Sequence, residues 1–376
     1  MKFTFVEGWA LLGHKGNYIY LQLPVKLGEM GHEVVIYDCR VWSTEEMALF
    51  NSLTAGKNIT LRHISQLGED GGGDFLCIFA EPWLPPDVLN GTLPAVARRY
   101  SRTIYWSADC WIAWNYSKAS VDGERVFMQI AQLHLANSPQ NCVRLQRLYK
   151  VEKVYWLPNA ARQEWYVPLA PPNPAADIHT YCTPEGKYIV SLVGYWVGYR
   201  NIEELVRVAP KFRNLVFVLV GELDRQRYHY SFSHAVGGNV FFVGPQSHDY
   251  VRYLLASSLF AIVAAGRNWF SYFSDPTKWY LYHAAGVPIL SLNIPHHSKF
   301  RSFYPNTVCA YDYETGIWKM LESLEKGVVP VRYSPLPLHD YAQRAEDFLA
   351  ILGGENPYGV AMEGRFHPGI WLQRTP

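Results

Sequence analysis

Short continuous apolar runs alternate along the chain with stretches whose apolar residues recur every three or four positions. These are the signatures of buried strands and of helices packed on one face. Phe3–Val6 reads as a strand. A stretch punctuated by Gly8, Gly13 and Gly16 follows, then Tyr18–Glu29 with helical spacing, closed by Gly28 and Gly31, and then His32–Tyr37 as the next strand. Strand, glycine-rich turn, helix and strand make a βαβ unit, which implies a parallel sheet. Phe75–Phe79, Thr103–Trp106 and Lys153–Leu157 are further strands, and a helix is predicted from about Gly123 to His134, leading into Leu135–Ser138. Strands this short and this apolar suit a sheet covered on both faces.

Between Pro168 and Pro184 the pattern breaks. Leu169–Ala175 carries three prolines in seven residues, which continue neither a helix nor a central strand. The alternation then restarts with strands at Tyr188–Val193, Leu215–Val220, Asn239–Val243, Leu259–Val263 and Pro288–Leu292. Helices are expected at Ile202–Ala209, Tyr250–Ala256, Trp279–Ala285, Ile317–Leu324 and Ala342–Leu352, the last ended by Gly353-Gly354. The fold class is α/β: two doubly wound, Rossmann-like parallel-sheet domains facing across a cleft. The first is expected over residues 1–167, a linker over 168–186 and the second over 187–341, with the C-terminal helix of about 342–376 packing back on the first. Ligands of such sheets sit at the carboxyl ends of the strands.

Composition agrees. A chain of 376 residues fits two to three domains, and 49% hydrophobic against 18% charged residues excludes disorder. Lys plus Arg is 34 and Asp plus Glu is 33, a net charge of +1, so nucleic acid is not an expected partner. Six scattered cysteines without a C-x-x-C pair read as reduced thiols in a reducing compartment. The N-terminal strand meets charge too soon for a secretory signal, and the longest apolar run, Leu259–Ala265, is far short of the ~20 residues that span a bilayer. The expectation is a cytoplasmic protein, soluble or peripheral, with Ala97–Arg102 as a small basic patch for contact with the inner face of a membrane.

The most informative stretch is Ser274–Pro288. Its polar residues precede a helix whose first turn carries Thr277 and Lys278, and the orphan N–H groups and dipole of a helix start favour an anion. Gly286 ends the helix and Pro288 launches the next strand. The plainer reading of Asp275-Pro276 is ordinary capping, with Lys278 facing solvent. Of the remaining candidates, Glu81 and Asp109 each follow a strand end, Glu222 follows Gly221, and Trp106, Trp111, Trp114 and Tyr116 form either core or a stacking surface. His296-His297 lacks a third ligand, so no metal is expected.

Pro276-Thr-Lys278, Tyr282, Gly286 and Pro288 resemble the donor-site signature of GT-B glycosyltransferases, GT4-like in this segment, which holds a nucleoside diphosphate. Val193–Trp196 with Arg200-Asn201, Phe217–Gly221, Asn239–Gly244 and Pro158-Asn159 fall in the order of that family's motifs. The resemblance implies a GT-B fold and a nucleoside-diphosphate sugar as donor substrate, with no cofactor. It places Lys278, Thr277, Ser274, Arg200, Tyr195, Glu222, Gly244 and Tyr282 at the donor. Gly13, His14, Glu81 and Trp111 lie toward the acceptor, a glycan or lipid-linked hydroxyl. The GT4-like acidic pair is absent, since its positions are Phe273 and Leu281. Thr103–Trp111 instead resembles a segment of the xanthan-assembly glucuronosyltransferase group, in which the aspartate, here Asp109, is an inverting general base.

The expected activity is therefore transfer of a hexosyl or uronosyl group, inverting and independent of metal, in polysaccharide biosynthesis. A retaining GT4-like transferase and a non-catalytic sugar- or nucleotide-binding subunit of the same fold are the alternatives. An epimerase or phosphorylase is the weaker third reading.

Overall fold

The structure, a computed structural model, describes residues 1–7, 19–79, 84–107, 118–162, 185–196, 200–223, 238–294, 297, 306–330 and 340–358. The first domain contains β1 (Lys2–Glu7), α1 (Ile19–Glu29), β2 (Glu33–Asp38), α2 (Thr44–Thr54), β3 (Ile59–His63) and β4 (Gly73–Ile78). It continues through α3 (Leu93–Ala97), β5 (Tyr100–Ser107), α4 (Lys118–Ile130), β6 (Leu133–Ala136), α5 (Pro139–Tyr149) and β7 (Tyr155–Trp156). The second runs through β8 (Tyr188–Val193), α6 (Ile202–Val208), β9 (Leu215–Val220), β10 (Val240–Gly244), α7 (His248–Ala256) and β11 (Phe260–Val263). Then come α8 (Trp269–Phe273), α9 (Thr277–Ala284), β12 (Ile289–Leu292), β13 (Thr307–Ala310) and α10 (Tyr313–Glu325), with α11 (Tyr341–Leu352) last.

Seven parallel strands form the first sheet in the order β3-β2-β1-β4-β5-β6-β7, and six form the second in the order β10-β9-β8-β11-β12-β13. Strand order reverses between β1 and β4 and again between β8 and β11. These are the two switch points at which an open α/β sheet splits apart to admit a ligand. Every residue of β6, β11 and β12 is buried, as central strands covered on both faces require.

Helix starts follow ordinary capping chemistry. Ser43 and Glu46 form a reciprocal capping box on α2. Ser138, Asp312 and Asp340 cap α5, α10 and α11 through Asn141, Thr315 and Gln343 N–H groups.

Phe3 and Phe5 pack on one face of the first sheet with Leu21 and Leu27 of α1 and with Phe348 and Ile351 of α11. Phe3 lies 6.1 Å from Phe348, centroid to centroid, so the last helix rests on the first domain. On the outer face of the second sheet, Leu192, Leu219 and Leu290 pack under α6 and α10. A third cluster runs from Val6, Ile78, Phe127 and Leu145 to Val220, Val263, Trp279 and Tyr282, joining the two domains through α9.

The helix expected over Gly123–His134 ends at Ile130, because His134 and Leu135 are taken into β6 opposite Tyr105 and Trp106. Residues 163–184, most of the expected linker, lie outside the described residues.

Candidate functional site

The carboxyl edge of the second sheet is built by a close approach of two turns. β9 is followed by Gly221, with φ +128°, and a Cβ there would lie 1.8 Å from the Gly194 carbonyl oxygen. Only glycine fits such a contact. The turns are then laced by backbone hydrogen bonds: Gly194 N to Val220 O (2.9 Å), Trp196 N to Glu222 O (2.7 Å) and Gly221 N to Gly244 O (2.9 Å).

Two cations converge over this floor. A methyl group on Gly194 would lie 3.8 Å from Lys278 Cε and 4.0 Å from the Arg200 guanidinium. Lys278 belongs to the first turn of α9, whose N-cap, Pro276, makes no side-chain cap and whose first turn holds no acid. Its first N–H groups and dipole therefore add to the lysine charge. Arg200 is buried; its Nη1 donates to Ala264 O at 2.8 Å, and its own carbonyl accepts from the Tyr313 hydroxyl at 3.0 Å. Tyr282 closes the floor by accepting from Val193 N at 2.7 Å. Burial pushes its phenol well above the usual range, so it stays neutral.

The segment leading to Lys278 is anchored on the first domain. Asp275 Oδ2 accepts from Asn159 N at 2.6 Å, the Asn159 amide donates to Asp275 O at 2.5 Å, and the Tyr280 hydroxyl lies 2.9 Å from both carboxylate oxygens. Ser138 Oγ donates to Phe273 O at 2.6 Å. Asp275 therefore does more than start a helix: it fastens the approach to α9 to the strand ends of the other sheet.

At the carboxyl edge of the first sheet, Glu7 and Asp38 end neighbouring strands in register, and both are fully buried. Asp38 accepts from Arg40 N and Trp42 Nε1, each at 3.0 Å. Burial, aided by the Glu7 charge, pushes the Cys77 thiol well up. Ser107, the last residue of β5, accepts from the Asn141 amide at 3.1 Å. Behind it Glu124 is bonded by Arg144 (2.7 Å twice), Tyr149 (2.6 Å) and Tyr105 (3.1 Å).

Of the donor-side residues read from sequence, Lys278, Arg200 and Tyr282 come together at Gly194. Ser274 is buried and Thr277 half-buried beside them in the chain; Gly244 serves through its carbonyl, with φ +70°. Tyr195 and Glu222 are exposed. Asp109, Gly13, His14, Glu81 and Trp111 lie outside the described residues, although β1, β4 and β5, which precede them, all end at this edge. Sequence reasoning did not single out Gly194, Glu7, Asp38 or Ser138. A glycine directly after a strand was the available signal for the first, and an acid closing an apolar run for the next two.

Trp106 is core, edge-on to Phe79 at 4.7 Å. His297 Nδ1 lies 2.6 Å from Ser291 Oγ beneath α9. In the basic patch, Arg99 donates to the carbonyls of Gly68 and Asp70 and Arg102 to that of Leu352, so two of its three arginines serve the fold. Among the described residues no helix is long and apolar enough to cross a membrane.

No protein-family model and no curated protein matches the sequence. Solved structures do match it. HepE of Anabaena, crystallised with UDP, aligns with a TM-score of 0.68 at 14% identity, covering 94% of this chain and 100% of its own. A glycosyltransferase of Rickettsia africae aligns at 0.65 and 12% identity, over 95% and 100%. Sucrose-phosphate synthase of Thermosynechococcus elongatus gives 0.61 and 13%, over 94% and 97%. The chain thus has the GT-B fold of these proteins.

Proposed function

We propose that this protein is a glycosyltransferase that moves a sugar from a nucleoside diphosphate to a hydroxyl of a glycan or lipid-linked acceptor. The observation that carries the reading is the convergence of Lys278 and Arg200 over Gly194 at the start of α9. Two cations and the start of a helix around a side-chain-free floor fit a pyrophosphate, and they stabilise the charge that grows on it as the glycosidic bond breaks. The fold adds support, since HepE of Anabaena has been crystallised with UDP, and with UDP and glucose.

In this reading Thr277, Ser274 and the Gly244 turn complete the diphosphate cradle, while Tyr195 and Glu222, exposed beside it, meet the nucleoside or sugar. The donor is the only small molecule required; no cofactor takes part. Asp109, following β5 at the carboxyl edge of the first sheet, takes the proton from the acceptor hydroxyl, worth ~10²–10⁴-fold. Gly13, His14, Glu81 and Trp111 shape the acceptor side. Phe273 is buried and Leu281 packs against the core, so the GT4-like acidic pair has no counterpart, which favours inversion. The transferred group is a hexose or uronic acid, the process polysaccharide assembly and the place the cytoplasm, at the inner face of the membrane where the acceptor is lipid-linked.

The test is thermal stabilisation by UDP, ADP and GDP, followed by transfer from the matching sugar nucleotides. One diphosphate should stabilise the wild type, by about 2.7 kcal/mol at 100 times its Kd. Lys278→Ala should lose that response, and Asp109→Asn should keep it while losing transfer. Stabilisation by none of the three, or a normal response in Lys278→Ala, would overturn the reading; transfer by Asp109→Asn would reassign the base.

A further inference from the structure

An open polar cavity of about 650 Å³ lies between α6, the start of α10 and the turn after β11. Its size is that of a small-ligand site. α6 and α10 pack on the sheet face built from Leu192, Leu219 and Leu290, whereas Trp279 and Tyr282 of α9 pack with Val220 and Val263 on the other. Lys278 therefore lies across the second sheet from the cavity, while Arg200, which precedes Asn201 and bonds Ala264 O and the Tyr313 hydroxyl, stands at the cavity's edge.

Its lining mixes both signs. Glu204, Asp312, Arg207, Arg267, Asn201 and Asn268 all contribute. Asp312 caps α10 through Thr315 N and lies 3.9 Å from Arg267. Arg267 Nε donates to Tyr311 O at 3.2 Å, and Glu204 accepts from the Asn201 amide and, at 3.4 Å, from Tyr313 N. A further lining carboxylate, Glu314, is matched by Lys211 at 2.7 Å. These bonds fix the side chains yet use part of their capacity, since a carboxylate has about four acceptor positions and a guanidinium five donors. Beside the cavity Tyr311 is 75% exposed, with the Arg267 guanidinium 5.9 Å from its ring centre.

This lining selects against charge. A phosphate would meet the carboxylates and an amine the guanidiniums, each at a desolvation penalty. Sugar hydroxyls donate to carboxylates and accept from guanidinium and amide N–H groups at once, and an exposed tyrosine face suits the apolar face of a pyranose. We infer that the cavity, which adjoins the nucleotide clamp at Arg200, is a binding site for a neutral glycan. The inference stands independently of the transfer reading.

Affinity electrophoresis of the full chain through gels of dextran, glycogen, galactomannan or mixed-linkage β-glucan tests it, with alginate as the anionic comparison. At least one neutral polysaccharide should retard the wild type. Tyr311→Ala and Arg207→Ala, both at exposed positions, should each weaken retention about tenfold, the scale of losing an aromatic or arginine anchor. Their thermal response to UDP, ADP and GDP should match the wild type. Retardation by alginate alone, by no neutral gel, or undiminished in both variants overturns the inference, as does joint loss of retention and nucleotide response. A wild type that is retarded yet answers to no nucleotide would instead refute the transfer reading and leave this site standing.

Discussion

Two glycines that touch each other should behave in opposite ways when each gains one methyl group. In Gly221→Ala the new carbon would stand 1.8 Å from the Gly194 carbonyl oxygen, backbone against backbone, at φ +128°. A residue forced to keep that dihedral costs about 1–3 kcal/mol. Relief requires parting the turns, which gives up the Gly194–Val220 and Gly221–Gly244 hydrogen bonds at about 1 kcal/mol each. The expected loss is therefore about 3–5 kcal/mol, or roughly 10 °C in melting temperature for a domain of this size. In Gly194→Ala the methyl meets Lys278 and Arg200 at 3.8 and 4.0 Å, ordinary contact distances, so stability should stay within about 1 kcal/mol. That methyl, however, fills the space between the two cations, and nucleotide affinity should drop about 10–100-fold, or roughly 1.4–2.8 kcal/mol. Urea unfolding followed by tryptophan fluorescence gives the first quantity, and calorimetric titration with the stabilising diphosphate gives the second. A Gly221→Ala protein within 1 kcal/mol of wild type, or a Gly194→Ala protein that binds normally, would refute the geometry of the clamp.

The Glu124 carboxyl should make the first domain acid-labile. Burial raises its pKa, but the Arg144 charge and the hydrogen bonds from Arg144, Tyr149 and Tyr105 outweigh burial and hold it below the usual glutamate value. A depressed folded pKa stabilises the protein above the unfolded value of ~4.3 and loses that contribution as pH falls through the folded one. Urea midpoints should therefore decline below about pH 4.5, and less steeply in Glu124→Gln; parallel profiles would contradict this. Arg144→Leu leaves that carboxylate buried and unpaired and should cost about 3–5 kcal/mol in the same assay, whereas a loss below 1 kcal/mol would mean the ion pair is dispensable. Asp275→Ala strands the Asn159 N–H and the Tyr280 hydroxyl at about 1–3 kcal/mol each. It should also weaken diphosphate binding, although it removes no proposed contact with it; unchanged affinity would show that α9 keeps its place without the anchor.

Strands buried on both faces announce themselves. Phe217–Val220 and Ala261–Val263 were legible because nothing polar interrupts them, Ile289–Leu292 because Ser291 alone breaks an apolar run launched by Pro288, and the end of α9 because Gly286 and Pro288 punctuate it. The elements that escaped reading are the amphipathic and marginal ones. β3 at the sheet edge alternates half-buried with exposed residues, and α2 buries only Phe50 and Thr54. α5 is polar on most of its surface, and β6 was absorbed into the preceding helix because its pairing with β5 is not a local property.

The site divides the same way. That Lys278 heads a helix is a local fact, readable from spacing. That Arg200 reaches the Ala264 carbonyl, 64 residues on, depends on β8 and β11 lying side by side in one sheet, and that Asp275 bonds Asn159, 116 residues back, depends on how the two sheets are brought together; no window of neighbouring residues contains either.

The placement of α11 bears on the order in which the protein can mature as it is made. Phe3 and Phe5 are synthesised long before Phe348 and Ile351, the aromatic and aliphatic side chains that seal them. The second sheet needs nothing outside residues 188–310 to complete its strands, so the lobe encoded later can finish first. Until α11 arrives, the earlier lobe must wait with an open greasy seam, a natural client for a chaperone and the point at which a truncated product would begin to aggregate.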